Sequence, residues 1–239
     1  RSRGLGDVYK RQRLAVIGRP NVGKSSLVNR LLGYERVVAN PVAGTTRDSI
    51  DTPFVYNRRR YLLIDTAGIR RKGKVSQTLE KFSVVQALKA LDRADVALVI
   101  IDAAEGVTDQ DVTVAGYAYE AGRPVVLVVN KWDLLKKDNA SVGRYVEKLR
   151  LAFKFLPTAP ILFVSALTGQ RVARIMGVVE EVADEYGREI PTAALNKVLA
   201  EAVRLHQPPV HQGKRLKFFY MTQSGTRPPS FIVFVNQAE

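Results

Sequence analysis

The sequence contains no cysteine, and none of its apolar runs approaches the ~20 residues that a membrane-crossing helix needs. The first absence excludes disulfides and thiolate metal centres and fits a cytoplasmic setting. The second argues against a membrane partner, and no secretion-signal pattern opens the chain. Internal repeats and low-complexity tracts are absent too. Acidic residues are in deficit: 23 Asp and Glu stand against 37 Lys and Arg, a formal charge of +14. What remains is ordinary for a folded α/β protein, with 46% hydrophobic and 25% charged residues in 239 positions.

The charge survives removal of the first residues. Arg1, Arg3, Lys10 and Arg11 against Asp7 contribute +3 and leave +11 for the rest. Residues 1–12 have no periodicity and read as a tail that is unstructured or foreign to the fold. Solubility alone usually needs a charge of only about two to eight, so the excess points to a polyanionic partner, RNA first among them.

The densest signal is Gly18-Arg19-Pro20-Asn21-Val22-Gly23-Lys24-Ser25-Ser26. An apolar run, Leu14 to Ile17, precedes it, and Leu27, Leu31 and Leu32 follow at helical spacing. That places a glycine-rich loop between a buried strand and a helix N-terminus. There, backbone N–H groups from Gly18 to Ser26 can wrap a phosphate chain, Lys24 can reach the β- and γ-phosphates, and the Ser25 hydroxyl can ligate Mg²⁺.

Further apolar runs at 61–64, 96–101, 125–129 and 161–164 alternate with helical patterns near 25–33, 77–92, 108–121, 141–155 and 170–187. One more strand, near 50–56, pairs with 61–64 through a turn at 57–59. The alternation predicts an α/β fold: a three-layer P-loop domain over residues 13–189 with a mostly parallel sheet and its ligand at the carboxyl ends of the strands. From residue 190 to 239 the character changes to one helix capped by Thr192 and two β-prone runs, 216–222 and 231–236, joined across 224–229. So small a piece cannot bury a respectable core.

Three further motifs fall where this fold would put them. Asp65-Thr66-Ala67-Gly68 ends a strand, so Asp65 can hold Mg²⁺ through water while the Gly68 N–H reaches a γ-phosphate. Asn130-Lys131-Trp132-Asp133 ends another. Asp133 can accept from N1–H and the 2-amino group of guanine, donors that adenine lacks, so an unpaired buried carboxylate would reject adenine. Lys131 can lay its stem along the base, and Asn130 can tie this loop to the phosphate loop. Ser165-Ala166-Leu167, after the next strand, can turn backbone N–H groups to the guanine O6. Between the phosphate loop and Asp65, the hydroxyls of Thr45 or Thr46 can complete the Mg²⁺ shell, and the residues leave the two undecided. The order of motifs is that of a translation-factor-type GTPase.

Gly-Arg-Pro-Asn-Val-Gly-Lys-Ser-Ser-Leu, Ala-Gly-Thr-Thr-Arg-Asp, Asp-Thr-Ala-Gly-Ile-Arg-Arg-Lys-Gly-Lys and Val-Asn-Lys-Trp-Asp-Leu together resemble the second GTPase domain of the Der (EngA) family, bacterial GTPases of 50S ribosomal subunit assembly. The resemblance runs from about Arg13 to the C-terminus. It implies GTP as substrate and GDP as product, Thr46 as the Mg²⁺ ligand, rRNA of the 50S subunit as partner and a KH-like domain from residue 190. It further implies a GTPase domain upstream and more KH-like structure beyond Glu239, so the chain is expected to be a fragment. Ile69 stands where many GTPases carry a water-orienting Gln. For GTPases of this kind the resemblance implies a potassium ion instead, held in part by Asn21, whose plainer reading is a loop-capping amide. The catalytic set so expected is Lys24, Thr46, Gly68 and Asn21. A tRNA-modification-type GTPase and a nucleotide-gated RNA-binding module with negligible turnover are the competing expectations.

Overall fold

The computed structural model describes residues 11–33, 37–39, 51–65, 79–135, 141–208, 210–211 and 214–236. Thr45, Thr46, Gly68, Ile69 and the basic run Arg70, Arg71, Lys72 and Lys74 lie outside the described residues.

Seven strands form one sheet: β1 (Gln12–Ile17), β2 (Val37–Ala39), β3 (Thr52–Tyr56), β4 (Arg59–Ile64), β5 (Val96–Asp102), β6 (Val125–Asn130) and β7 (Ile161–Phe163), in the order β2-β3-β4-β1-β5-β6-β7. The run from β4 through β1 to β7 is parallel, while β2 and β3 add an antiparallel edge. Its helices are α1 (Lys24–Leu32), α2 (Leu79–Arg93), α3 (Asp109–Glu120), α4 (Ser141–Ala152) and α5 (Arg174–Tyr186).

The central strands β5 and β6 are apolar up to their last residue because both faces of the sheet are covered. In β5, Val96, Leu98 and Ile100 pack with Leu27 and Leu31 of α1 and Ile175 and Val179 of α5. Ala97, Val99 and Ile101 point the other way, to Leu91 of α2, Ala115 and Ala118 of α3 and Leu149 of α4. Strand period sorts one continuous apolar run into two cores. The fold class read from the sequence is the one observed. Boundaries differ in detail: β2 carries no sequence signal of its own, α4 ends at Ala152 before a turn, and α5 begins at Arg174 after one.

The chain divides into two compact units between Ala183 and Asp184, inside α5 and ahead of the boundary expected at residue 190. The second unit contains α6 (Thr192–Leu205), two-residue strands β8 (Val210–His211) and β9 (Lys214–Arg215), and the antiparallel ribbon β10 (Phe218–Thr226) and β11 (Pro229–Val235). The N-cap of α6 is Pro191, not Thr192, which is already helical. Ser224 to Thr226 extend β10 rather than form the connection, and an irregularity of register between Gln223 and Gly225 leaves Ser224 as the extra residue. Asn196 docks α6 to the ribbon by donating to Met221 O at 3.0 Å and accepting from Met221 N at 2.9 Å. Phe219, Phe231 and Ile232 remain exposed, in keeping with the small core expected for this piece.

Candidate nucleotide site

The carboxyl ends of β1, β4, β5 and β6 carry the motif residues to one edge of the sheet. The phosphate loop leaves β1 at Gly18, whose φ of 147° and missing Cβ let the chain pass the backbone of β5: a Cβ there would lie 2.5 Å from Ile100 O. Asn21 follows in the left-handed region at φ 64°. Val22 is buried, and Gly23, also left-handed, caps α1 with no side-chain hydrogen bond. Because α1 has neither a capping side chain nor an acidic residue in its first turn, the N–H groups at its start suit an anion.

Lys24 folds back over the loop and donates to Gly18 O at 2.7 Å and Arg19 O at 2.5 Å. Burial, with the charge of Arg19 added, lowers its amine to about 8. Arg19 in turn is held away from the loop. Its Nε donates to the fully buried Asp111 at 2.8 Å, and its Nη1 donates to Glu105 at 2.8 Å. Asp111 also closes a capping box with Thr108 at the start of α3, so the phosphate loop is anchored to a helix 92 residues further on.

Asn130, the buried last residue of β6, connects three segments. Its Nδ2 donates to Val22 O at 2.9 Å and its Oδ1 accepts from Ala166 N at 2.9 Å. The amide lies so close to the loop that a Cβ on Gly23 would collide with Nδ2. Lys131 takes a left-handed backbone and pairs through Nζ with Asp102 Oδ2 at 2.5 Å, so its head is fixed at the end of β5. Burial acts to raise the Asp102 carboxyl, but the hydrogen bonds from Lys131 and Ala104 N outweigh it and hold it below the usual range. Trp132 is buried against Phe163 and Tyr145, which fixes the turn that presents Asp133. Asp133 Oδ1 is buried and has no hydrogen-bond partner.

Ser165 is fully buried. Its N–H donates to Gln170 O at 3.1 Å, and the Ala166 N–H is the one given to Asn130. Both of these donors are paired within the protein, in the segment expected to turn backbone N–H groups to a base. On the cation side, Ser25 lies in the first turn of α1, and Asp65 follows β4 directly at φ 54°, its N–H held by Asp51 Oδ1 at 3.1 Å. Hydroxyl and carboxylate oxygens are the hard donors Mg²⁺ takes beside phosphates and water, so these residues fit that ion. Asn21 carries one amide oxygen, the donor type a potassium ion could take. Sequence reasoning missed Asp102, Arg19 and Asp111 as parts of the site. For Asp102 the signal was present, a carboxylate closing a wholly apolar strand.

A phosphate loop, an amide-linked guanine-type motif and a parallel sheet with an antiparallel edge define a P-loop GTPase domain, and residues 13–131 match the family model described as 50S ribosome-binding GTPase. Residues 189–239 match the KH-domain-like C-terminal domain of EngA bacterial GTPases. The chain belongs to the Der (EngA) family of GTPases. It is 70% identical over 226 residues to the GTPase Der of Syntrophotalea carbinolica and 61% identical over 227 residues to that of Geotalea uraniireducens, matches that take in 95% of this chain and 52% of each relative. The chain thus spans about half the length of these relatives. Among solved structures, a variant of Era from Aquifex aeolicus bound to GDP and aluminium fluoride aligns with a TM-score of 0.55 at 25% identity, over 95% of this chain and 80% of that one.

Lys24 gives the site a pH dependence. Phosphate favours the ammonium form, so binding should raise an amine that starts near 8. Affinity for GDP is expected to be full below that value and to fall as pH rises through it, by at most about tenfold per pH unit. Titration calorimetry in two buffers of different ionisation enthalpy should show proton uptake at about pH 8.5 that fades toward pH 7. Absence of uptake at the higher pH would remove Lys24 from the phosphate contacts.

Proposed function

We propose that the chain is a GTP-binding and GTP-hydrolysing switch acting in assembly of the 50S ribosomal subunit. The observation that carries the nucleotide assignment is the unpartnered Oδ1 of Asp133, buried beside the Asn130 link to the phosphate loop. A buried carboxylate oxygen without a donor is costly, and guanine supplies two donors where adenine supplies none.

In this reading the polyphosphate lies on the N-terminus of α1 and draws Lys24 from the loop carbonyls to the β- and γ-phosphates. Ser25, Asp65 and Thr46 would hold Mg²⁺, which would neutralise charge on the phosphate oxygens. Gly68 meets the γ-phosphate, and its contact is lost once water attacks the γ-phosphorus, the bond to the bridging oxygen breaks and GDP and phosphate are formed. With Ile69 unable to orient water, Asn21 would help hold a potassium ion through its amide oxygen, and that ion would supply the compensating positive charge. The partner is rRNA of the large subunit. The net charge, the basic clusters at 70–74 and 214–217 and the description of the matched family as ribosome-binding support this, and a cytoplasmic location accords with it. Among the described residues no helix is long and apolar enough to cross a membrane. The α+β piece after residue 184 and its match to the EngA C-terminal domain favour this reading over a tRNA-modification GTPase. Measurable turnover separates it from an RNA-binding module that GTP only gates.

Two experiments test the assignment. Asp133→Asn should weaken GTP at least about a hundredfold, the cost of leaving guanine donors facing an amide, and should shift preference to xanthosine triphosphate; unchanged GTP affinity would sink the guanine reading. Turnover should be faster in KCl than in NaCl at equal ionic strength, with the difference lost in Asn21→Ala. Equal rates in the two salts would take Asn21 and potassium out of the mechanism.

A further inference from the structure

Arg30 lies in the last turn of α1, outside every recognised nucleotide motif, yet its side chain reaches a loop 136 residues further along the chain. Its Nε donates to Ala166 O at 3.1 Å and its Nη2 donates to Leu167 O. A planar guanidinium gripping two successive carbonyls is a geometry that lysine cannot reproduce.

The loop after β7 has a fixed shape of its own. Gly169, left-handed at φ 84°, donates to Ser165 O at 2.9 Å, and Thr168 N donates to Ser165 Oγ at 3.1 Å. Those bonds do not fix where the loop sits. Besides the burial of Val164, Ala166 and Val172 in the core, two side chains from other elements tie it in place: Asn130 takes the Ala166 N–H, and Arg30 takes the Ala166 and Leu167 carbonyls. In a trans peptide the C=O of one residue and the N–H of the next point in opposite directions. With Ala166 C=O turned to Arg30, the Leu167 N–H is therefore directed away from α1. The Ser165 and Ala166 donors are already spent on Gln170 O and Asn130 Oδ1. Of the three N–H groups in Ser165-Ala166-Leu167, that of Leu167 is the one whose direction Arg30 sets.

We propose that Arg30 is a positioning residue for base recognition: by clamping the Ala166 and Leu167 carbonyls to the helix that begins at the phosphate loop, it aims the Leu167 N–H at the O6 of a bound guanine. The proposal rests on the guanine-nucleotide reading above. It couples the two halves of the site, since the helix whose first turn faces phosphate carries in its last turn the residue that sets the base loop.

The test uses two diphosphates, GDP and the diphosphate of 2-aminopurine riboside, which keeps the 2-amino group but lacks O6. Arg30→Ala should weaken GDP by about tenfold, the scale of losing a charge-assisted clamp at a partly exposed site, while 2-aminopurine riboside diphosphate changes less than about twofold. Arg30→Lys, which keeps the charge and one donor, should recover part of the loss. Equal losses for both nucleotides would make Arg30 a general structural contact and overturn the proposal, as would unchanged GDP affinity. ADP binding to the unaltered chain isolates the underlying reading. If the unaltered chain failed to prefer GDP over ADP, the guanine assignment itself would be overturned, and this proposal with it, whatever the variants did.

Discussion

The nucleotide site depends on one buried amide. Asn130 ends a central strand and uses both halves of its side chain, the NH₂ on Val22 O in the phosphate loop and the oxygen on Ala166 N in the base loop. Neither group can turn to water, and leaving either unmade would cost about 1–3 kcal/mol. The constraint reaches into the sequence on both sides. Gly23 has no Cβ because the amide occupies that space, and Val22 must present its carbonyl inward with its side chain buried.

Around that amide the sheet acts as a rigid frame. Strands buried on both faces are apolar until their last residue, where Asp102 and Asn130, paired across β5 and β6, turn polar. Asp102 then fixes Lys131, and Trp132 wedges the following turn so that Asp133 is presented with one oxygen unspent. Asp111 does the same for Arg19 from α3. Among the described residues, the start of α1 and the buried Asp133 Oδ1 are thereby turned to a ligand, with the Lys24 ammonium folded over the same loop.

The parts of this arrangement legible in the sequence are those written in consecutive residues. The phosphate loop is set by glycines at fixed offsets, and the sheet by apolar runs of strand length. The base motif stands at a strand end where an Asn and an Asp have no packing reason to be. Arg19, Asp111 and Arg30 could not be read this way because their partners lie 92 and 136 residues away, and nothing local distinguishes them from surface charges. The pairing of the Ala166 N–H with Asn130 Oδ1, 36 residues away, was hidden for the same reason, while that of the Ser165 N–H with Gln170 O lies within the turn itself. In the second unit Thr192 resembled a cap by residue type, but Pro191, with its φ already fixed, starts the helix one residue earlier.

The central claim is that Asn130 serves phosphate and base together, and Asn130→Asp tests it most directly. The substitution keeps shape and the acceptor for Ala166 N, but sets a carboxylate oxygen against Val22 O. Affinity should be measured for GDP and, by competition, for pyrophosphate, which has no base to lose. The account predicts that GDP weakens by about a hundredfold and that pyrophosphate weakens with it, because the phosphate loop has lost its anchor. A variant that binds pyrophosphate as well as the unaltered chain while losing GDP would contradict the account, since Asn130 would then serve the base alone.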